Sequence, residues 1–428
     1  MQTSEPGAVE SAASTPSMPA ALLCRGCSAS LEHVFADLGM SPLSNAYLTA
    51  AEIGRMEPFY PLCAYVCREC LLVQLQEFER PEAIFGDYLY FSSFSETWLE
   101  HARAYVEMIV SRFGIGPEHR VVELASNDGY LLQYFVERGV PVMGIEPARN
   151  VAEVASRKGI RTLAQFFGEG VARQLAAENE GADLIVGNNV LAHVPDLNDF
   201  VEGMKVLLNP LGVITLEFPH LLRLVEGNQF DTIYHEHFSY FSYLSVSRVL
   251  EAHGLVIFDV DELPTHGGSL RIYVCHEQDP TKSVHSRVSD LIASERAAGM
   301  DRLETYLSFG ERVRKTKRKL LTFLVGARED GKSIVGYGAP AKGNTLLNYC
   351  GIRTDFIDYT VDRSPHKQGR FLPGTHIPIS SPDRIRETRP DYLLILPWNL
   401  ADEITRQMAC IREWGGRFVV PIPEVRVF

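Results

Sequence analysis

Residues 231–242 read DTIYHEHFSYFS. Tyr234, His235, Glu236 and His237 are consecutive, and Tyr240 follows closely. Two imidazoles, a carboxylate and phenols can take, give and stabilise protons near neutral pH. Histidine is the natural base there. A phenol can donate to a developing oxyanion, and a neighbouring carboxylate can orient a histidine or raise its basicity. The H-x-H pair of His235 and His237 also permits a metal, because in an extended segment both rings face one side, with Glu236 opposite. No third ligand stands nearby in sequence. A packed polar loop is the remaining reading, so the surrounding elements must decide.

Those elements belong to a chain of 428 residues, more than one ordinary core holds, so two or three domains are expected. A formal charge of −13 and a pI near 5.5 exclude a nucleic-acid-coating role, which needs a basic footprint. A small anionic ligand held by a few placed cations stays possible. No apolar run approaches the ~20 residues of a membrane helix. Residues 1–20 lack the charged start and apolar stretch of a signal peptide and read as a disordered tail. Eight cysteines without an export signal point to a reducing cytoplasm, and to thiol or metal chemistry rather than disulfides.

Four of those thiols have metal-ligand spacing. Cys24 and Cys27 form one C-x2-C knuckle, and Cys67 and Cys70 form another 39 residues later. Two knuckles suit one tetrahedral zinc, and an all-sulfur set leaves no open position, so the site should be structural. About 70 residues with little periodicity need such a staple. Cys63 is left outside the set, although C-x3-C spacing to Cys67 keeps it in view. The alternative is a redox pair with two buried thiols. The following segment carries Tyr88, Tyr90, Ser92, Ser93 and Ser95, a set of rings and hydroxyls. It reads equally as a packed junction or as a lid over a sugar or nucleobase.

From residue 120 onward, short apolar strands alternate with amphipathic helices, four times over, before a fifth strand in VITLEFPH. That alternation implies a parallel sheet with ligands at the carboxyl ends of the strands. The first turn holds Glu123, Ala125, Asn127 and Gly129 in the run E-L-A-S-N-D-G. It lacks the G-x-G-x-x-G of a dinucleotide site. It resembles the first motif of S-adenosylmethionine methyltransferases, E/D-x-G-x-G-x-G, with Ala125 and Asn127 in two glycine slots. Glu146 ends the second strand, where it can accept from two ribose hydroxyls. An NAD enzyme uses the same acid, so Glu146 does not discriminate. Phe166 and Phe167 can flank adenine, one of them serving the core instead. Asn188, Asn189 and His193 follow the fourth strand and match the methyltransferase loop.

On this reading the YHEHFSYFS stretch follows the fifth strand, where substrate loops lie. Methyl transfer to carbon needs a carbanion equivalent, hence a base and an oxyanion donor. The density of acid–base groups favours a carbon acceptor. Three features in this order resemble the bacterial deoxysugar C-methyltransferases: the two C-x2-C knuckles, the E-x-A-S-N-D-G turn and the Y-H-E-H-F-S-Y-F-S loop. The likeness spans residues 21–428 and runs to the C-3′-methyltransferases of the tetronitrose pathway. It implies S-adenosylmethionine-dependent methylation at C-3 of a TDP-linked 4-keto-6-deoxysugar, with a 3-amino sugar expected. It also implies that His237 takes the C-3 proton, Tyr234 lies near the keto oxygen, Glu236 assists and His235 faces away. Spacing alone does not choose between the histidines.

Two strands around His266, Gly267, Gly268 and Ser269 should close the sheet, with Arg271 near a ligand or the whole serving as a plain hairpin. Residues 282–329 read as a helical connector. A second Rossmann-like unit then begins. Gly336, Tyr337, Gly338, Lys342 and Gly343 can receive a phosphate at a helix N-terminus, and Trp398 and Asn399 end another strand on the same edge. The expected fold class is therefore α/β. Residues 1–20 form the tail, 21–90 a zinc-binding domain, 91–280 a methyltransferase domain and 281–428 a C-terminal substrate-binding domain. Three domains can enclose a site without a partner, so a monomer is expected. Two other readings stand beside this one. They are a non-catalytic scaffold, suggested by Ala125 and Asn127, and a nicotinamide-dependent sugar enzyme using the second unit.

Overall fold

The computed structural model describes residues 22–80, 92–94 and 96–428. Tyr88, Tyr90 and Ser95 lie outside these. Strands β1 (His33–Ser41), β2 (Tyr60–Val66) and β3 (Val73–Leu75) come first. The central block holds β4 (Val121–Leu124), β5 (Val142–Ile145), β6 (Thr162–Leu163), β7 (Ala182–Asn188), β8 (Leu208–Pro219), β9 (Ser239–Tyr240), β10 (Leu255–Leu263) and β11 (Ser269–His276). The last group is β12 (Ile334–Tyr337), β13 (Thr360–Val361), β14 (Ile379–Ser380), β15 (Tyr392–Ile395), β16 (Arg417–Val420) and β17 (Arg426–Val427).

The central sheet runs β10-β11-β8-β7-β4-β5-β6. Its first five strands in sequence, β4 to β8, are parallel, and β11 and β10 add antiparallel at one edge. β4 and β7 are almost wholly buried apolar runs, as strands covered on both faces must be. The C-terminal sheet runs β14-β13-β12-β15-β16-β17, parallel except for β17. In each sheet the connections reverse direction beside the first strand, β4 in one and β12 in the other. Ligands bind open α/β sheets at that switch point. Helices Ser286–Ala297, Leu303–Leu307 and Phe309–Glu329 connect the two sheets, as the charged helical pattern implies.

The N-terminal sheet is not self-contained. Its order is β1-β2-β3-β9, so its fourth strand comes from the histidine-rich stretch. Val73 pairs with Tyr240 and Gln74 with Ser239, and Leu75 N–H donates to Phe238 O at 2.9 Å. The hydrophobic cores also cross between modules. Phe35, Leu62 and Val73 share one cluster with Leu221, Ile233, Phe309 and Leu347. Cys24, Cys67 and Leu72 share another with Val122, Leu216 and Val249.

Sγ atoms of Cys24, Cys27, Cys67 and Cys70 lie within 4.8 Å of one another, with the Cys24–Cys70 and Cys27–Cys67 pairs at 3.5 Å. A tetrahedral zinc with bonds of ~2.3 Å has sulfur–sulfur edges of roughly 3.8 Å, so the four fit it. Half-buried Cys63 sits on β2 outside this cluster. Among the described residues no helix is long and apolar enough to cross a membrane.

Gln74 joins the thiol cluster to the shared sheet: its Nε2 donates to Cys24 Sγ at 3.1 Å and its Oε1 accepts from Arg25 N–H at 2.9 Å. Disrupting the cluster should therefore loosen the strand pairing as well. In Cys70→Ser, hydrogen exchange of the Leu75 amide should accelerate together with that of amides beside the thiols. Exchange confined to the knuckles would break the link.

Candidate functional site

The carboxyl edges of the two parallel sheets face one another across a cavity of about 670 Å³. On one side are Ala125, Asn127, Glu146, Phe166, Phe167 and Asn188, from the loops after β4, β5, β6 and β7. On the other are Pro340, Ala341, Lys342 and Lys367, from the C-terminal unit. Tyr234, Glu236, His237 and His193 stand between them, with Asn45 from the N-terminal module, and Ser92, Trp98 and His266 also line the space.

The turn after β4 explains how a loop short of glycines keeps its shape. Ala125, Asn127 and Gly129 all have left-handed φ, at +54°, +49° and +76°. The departures in sequence are thus not departures in backbone conformation. For a residue with a Cβ this conformation costs roughly 1–2 kcal/mol, less for asparagine, and a ligand-binding loop is where such strain persists. Glu146 ties the turn down: Asn127 N–H donates to Oε2 at 2.9 Å and Ala148 N–H to Oε1 at 2.8 Å. Burial raises its pKa. Asn188 is buried, and among the described residues neither its Oδ1 nor its Nδ2 has a partner, so this amide is left to meet a ligand's polar groups. Exposed Phe166 offers a face to a flat ring, whereas Phe167 packs edge-on against Phe200 at 5.4 Å. The left-handed turn, the acid and the unpartnered amide together suit S-adenosylmethionine.

Glu123 and Gly129 support this turn from outside the cavity lining. Glu123 is fully buried, and burial raises its pKa well above the usual carboxylate range. A Cβ on Gly129 would come within 2.3 Å of Ile160 Cδ1. Left-handed strain and overpacking add, so Gly129→Ala should cost about 2–4 kcal/mol in thermal unfolding and weaken cofactor binding.

The histidine-rich stretch is a turn, not an extended segment. His237 N–H donates to Tyr234 O at 2.8 Å, and this corrects the expectation that His235 and His237 face one side. His235 instead packs edge-on to Tyr60 and Phe78, with Nε2 3.2 Å from Pro61 O. The H-x-H metal reading loses its geometry. His237 enters the cavity with its ring 4.0 Å from that of Tyr234 and 4.7 Å from that of His193. Its Nδ1 is 3.0 Å from Thr232 O. A carbonyl only accepts, so Nδ1 carries the proton and Nε2 is left as the basic nitrogen. Burial holds the His237 pKa well below the usual value, so the ring is neutral at pH 7. His193 is held in the same way, Nδ1 2.7 Å from Glu236 O, and burial pushes its pKa down to about 4.

Glu236 is buried with Oε1 2.7 Å from Asn45 Nδ2, and burial pushes its pKa up to about 7. Its carboxyl is thus turned to Asn45, not to either histidine ring. The folded state holds this proton more tightly than the unfolded chain, whose value is near 4.5. The group therefore stabilises the fold at low pH, and that contribution is lost as pH rises from 4.5 through about 7. Glu236→Gln should flatten the fall in melting temperature across this window and leave the protein more stable above it, by on the order of 1–3 kcal/mol.

The C-terminal candidates divide. Lys342 lines the cavity, with Nζ 2.9 Å from Asn399 Oδ1 and 4.5 Å from the centre of the Trp398 ring. Trp398 donates from Nε1 to buried Asp231 Oδ2 at 2.7 Å, so Trp398 and Asn399 hold the lysine rather than line the space. Tyr337 turns away, 3.2 Å from Gln407 Oε1. Gly267 O accepts from Gln229, and Gly267 also lies off the lining. Arg271 is a correction: it is buried, donates to Glu217 Oε2 at 2.6 Å and stacks over Tyr105, so its charge is already matched inside the fold. Ser92 does line the cavity, and its N–H donates to Asn127 Oδ1 at 2.9 Å.

Sequence reading missed Asn45, Trp98, Tyr130 and Lys367, all of which line the cavity. Lys367 follows β13, so the carboxyl-edge rule could have found it. Asn45 lies in a loop between β1 and β2 with no chemical motif around it.

Comparison with known proteins matches three families along the chain: a zinc binding domain over residues 24–85, a methyltransferase domain over 98–260 and a C-methyltransferase C-terminal domain over 264–423. The C-methyltransferase NovU of Streptomyces niveus is 38% identical over 394 residues, covering 91% of this chain and 92% of that protein. Among solved structures, magnesium protoporphyrin IX methyltransferase of Synechocystis PCC 6803 with bound SAM is 14% identical. It covers 46% of this chain and 88% of its own, at a TM-score of 0.33. An S-adenosylmethionine-dependent methyltransferase of Clostridium acetobutylicum is 11% identical, covering 42% and 92%, at 0.34. Likenesses this remote carry no assignment.

Proposed function

The chain belongs to the S-adenosylmethionine-dependent C-methyltransferases, the family of NovU, and on that premise we propose that it methylates C-3 of a TDP-linked 4-keto-6-deoxysugar through an enolate. The observation that carries this reading is the position of His237. A neutral imidazole with Nε2 as its basic nitrogen stands against the Tyr234 phenol, between the cofactor edge and two lysines, in a cavity that Glu236 also lines. Transfer to oxygen or nitrogen needs no such group to strip a carbon-bound proton.

S-adenosylmethionine, when bound along Ala125, Asn127, Glu146, Phe166 and Asn188, supplies an electrophilic methyl group. The protein's own part is proton chemistry. His237 Nε2 takes the C-3 proton, made acidic by the adjacent C-4 ketone. Tyr234 donates a hydrogen bond to the oxygen as it becomes an enolate. Imidazolium and enolate form together, so the pair is neutral overall and each stabilises the other in a buried site. With the cofactor bound, the enolate carbon would take its methyl group, S-adenosylhomocysteine would leave as a neutral thioether, and His237 would return its proton to solvent. Tyr234 and His237 also pack ring to ring, which fixes both before substrate arrives.

Lys342 and Lys367 supply positive charge at the other end of the cavity, where the N-terminus of helix Ala341–Cys350 opens. This arrangement suits the diphosphate of a nucleotide sugar. A 3-amino sugar is the proposed acceptor, acted on by a monomer in the reducing cytoplasm, where thiols remain free for zinc.

The test uses deuterium oxide. With S-adenosylhomocysteine bound, the protein should exchange the C-3 proton of a TDP-4-keto-6-deoxysugar, followed by NMR. His237→Asn should abolish exchange and lower methylation by about 10²–10⁴-fold, with S-adenosylhomocysteine affinity unchanged. Exchange that persists in His237→Asn would remove the base from His237.

A further inference from the structure

Asn45 reaches the cavity from outside both α/β units. It belongs to the loop between β1 and β2 of the zinc module, yet its Nδ2 lies 2.7 Å from Glu236 Oε1. The loop is anchored on each side of it. Ser44 O accepts from Asn344 Nδ2 at 2.5 Å, and Leu48 forms a bridge with Phe371. Tyr47 donates from its hydroxyl to Ala339 O at 2.6 Å, and the same hydroxyl is 3.3 Å from Asn45 Oδ1. Lys367 Nζ shares the Ala339 carbonyl at 2.8 Å and lies 5.1 Å from the centre of the Tyr47 ring. A neutral amide is thus pinned by the C-terminal unit and aimed at a buried carboxyl of the methyltransferase unit.

We infer that Asn45 is a positioning residue for Glu236: an amide donated by the zinc module that orients the carboxyl in the cavity and stabilises its ionised form. The inference rests on the reading that Glu236 assists chemistry at His237. A donor is what the site requires, because a buried carboxylate with no donor is costly. The other groups facing Glu236 do not replace it. His193 Nδ1 is engaged with the Glu236 main-chain oxygen. Among the described residues, His237 Nδ1 is engaged with Thr232, and Tyr47 and Lys367 both donate to Ala339 O. Burial sets the high pKa of Glu236, and the Asn45 hydrogen bond opposes it.

The experiment needs no sugar. In protein labelled with ¹³C-carboxyl glutamate, the infrared difference against Glu236→Gln isolates the Glu236 band, which is then titrated. Asn45→Ala and Asn45→Leu should each move its midpoint up by one pH unit or more, about a tenfold loss of the ionised fraction well below the midpoint. Asn45→Leu keeps the side-chain volume without adding a charge and carries the test if Asn45→Ala does not fold. The limb of the kcat–pH profile that disappears in Glu236→Gln should move up by the same amount in the Asn45 variants. A midpoint unmoved in both variants, with only the melting temperature lowered, would make Asn45 a structural contact and overturn the inference. A wrong sugar assignment would instead show as absent turnover in the unmodified protein with the infrared shift intact.

Discussion

The backbone pairing of Ser239–Tyr240 with Val73–Leu75 holds the candidate reaction centre in place. It makes the polar loop the edge of a sheet whose β2–β3 turn carries two of the four clustered thiols. Gln74 makes the join, pairing with Ser239 through its backbone and meeting Cys24 Sγ through its side chain. Arg25, between the first two thiols, adds to the same contact. It donates to Leu75 O at 2.6 Å and to Pro195 O on the cavity wall, and lies over Phe238. A structural zinc contributes free energy on the order of 10 kcal/mol or more to the segment it closes. Through these contacts that stabilisation reaches the loop carrying Tyr234, Glu236 and His237.

This dependence explains why the zinc module is present at all. Its sheet is too small to bury a core alone, and its apolar residues complete cores begun by the other two units. In return it supplies Asn45 to the cavity lining. The three units thus line a single cavity rather than standing as three modules in series.

Closure sets the electrostatics. Desolvation keeps both histidines neutral, lifts Glu236 into the neutral range and lowers the Lys342 pKa. Each shift avoids an unpaired buried charge. A site in this state accepts a neutral keto sugar without opposing charge and generates charge only as a pair. The lysines stand at the end where a diphosphate would bring compensating negative charge.

Much of this was legible locally. The thiol spacing, the repeated strand–helix pattern and the E-L-A-S-N-D-G turn are short-range features, because metal geometry, helix period and backbone conformation act over a few residues. They were sufficient for the α/β class, the zinc ligands and the cofactor edge, whereas the choice of His237 over His235 rested on the family resemblance. The tertiary structure decided what depends on distant partners. A turn at His235–Glu236 separated the two histidines that an extended strand would have aligned. Glu217, 54 residues from Arg271, took that guanidinium out of the site. Asn45, 191 residues from Glu236, entered it with no motif to announce it. Hydrogen-bond partners of buried polar groups are chosen by packing across the chain, and a linear sequence carries no local trace of that choice.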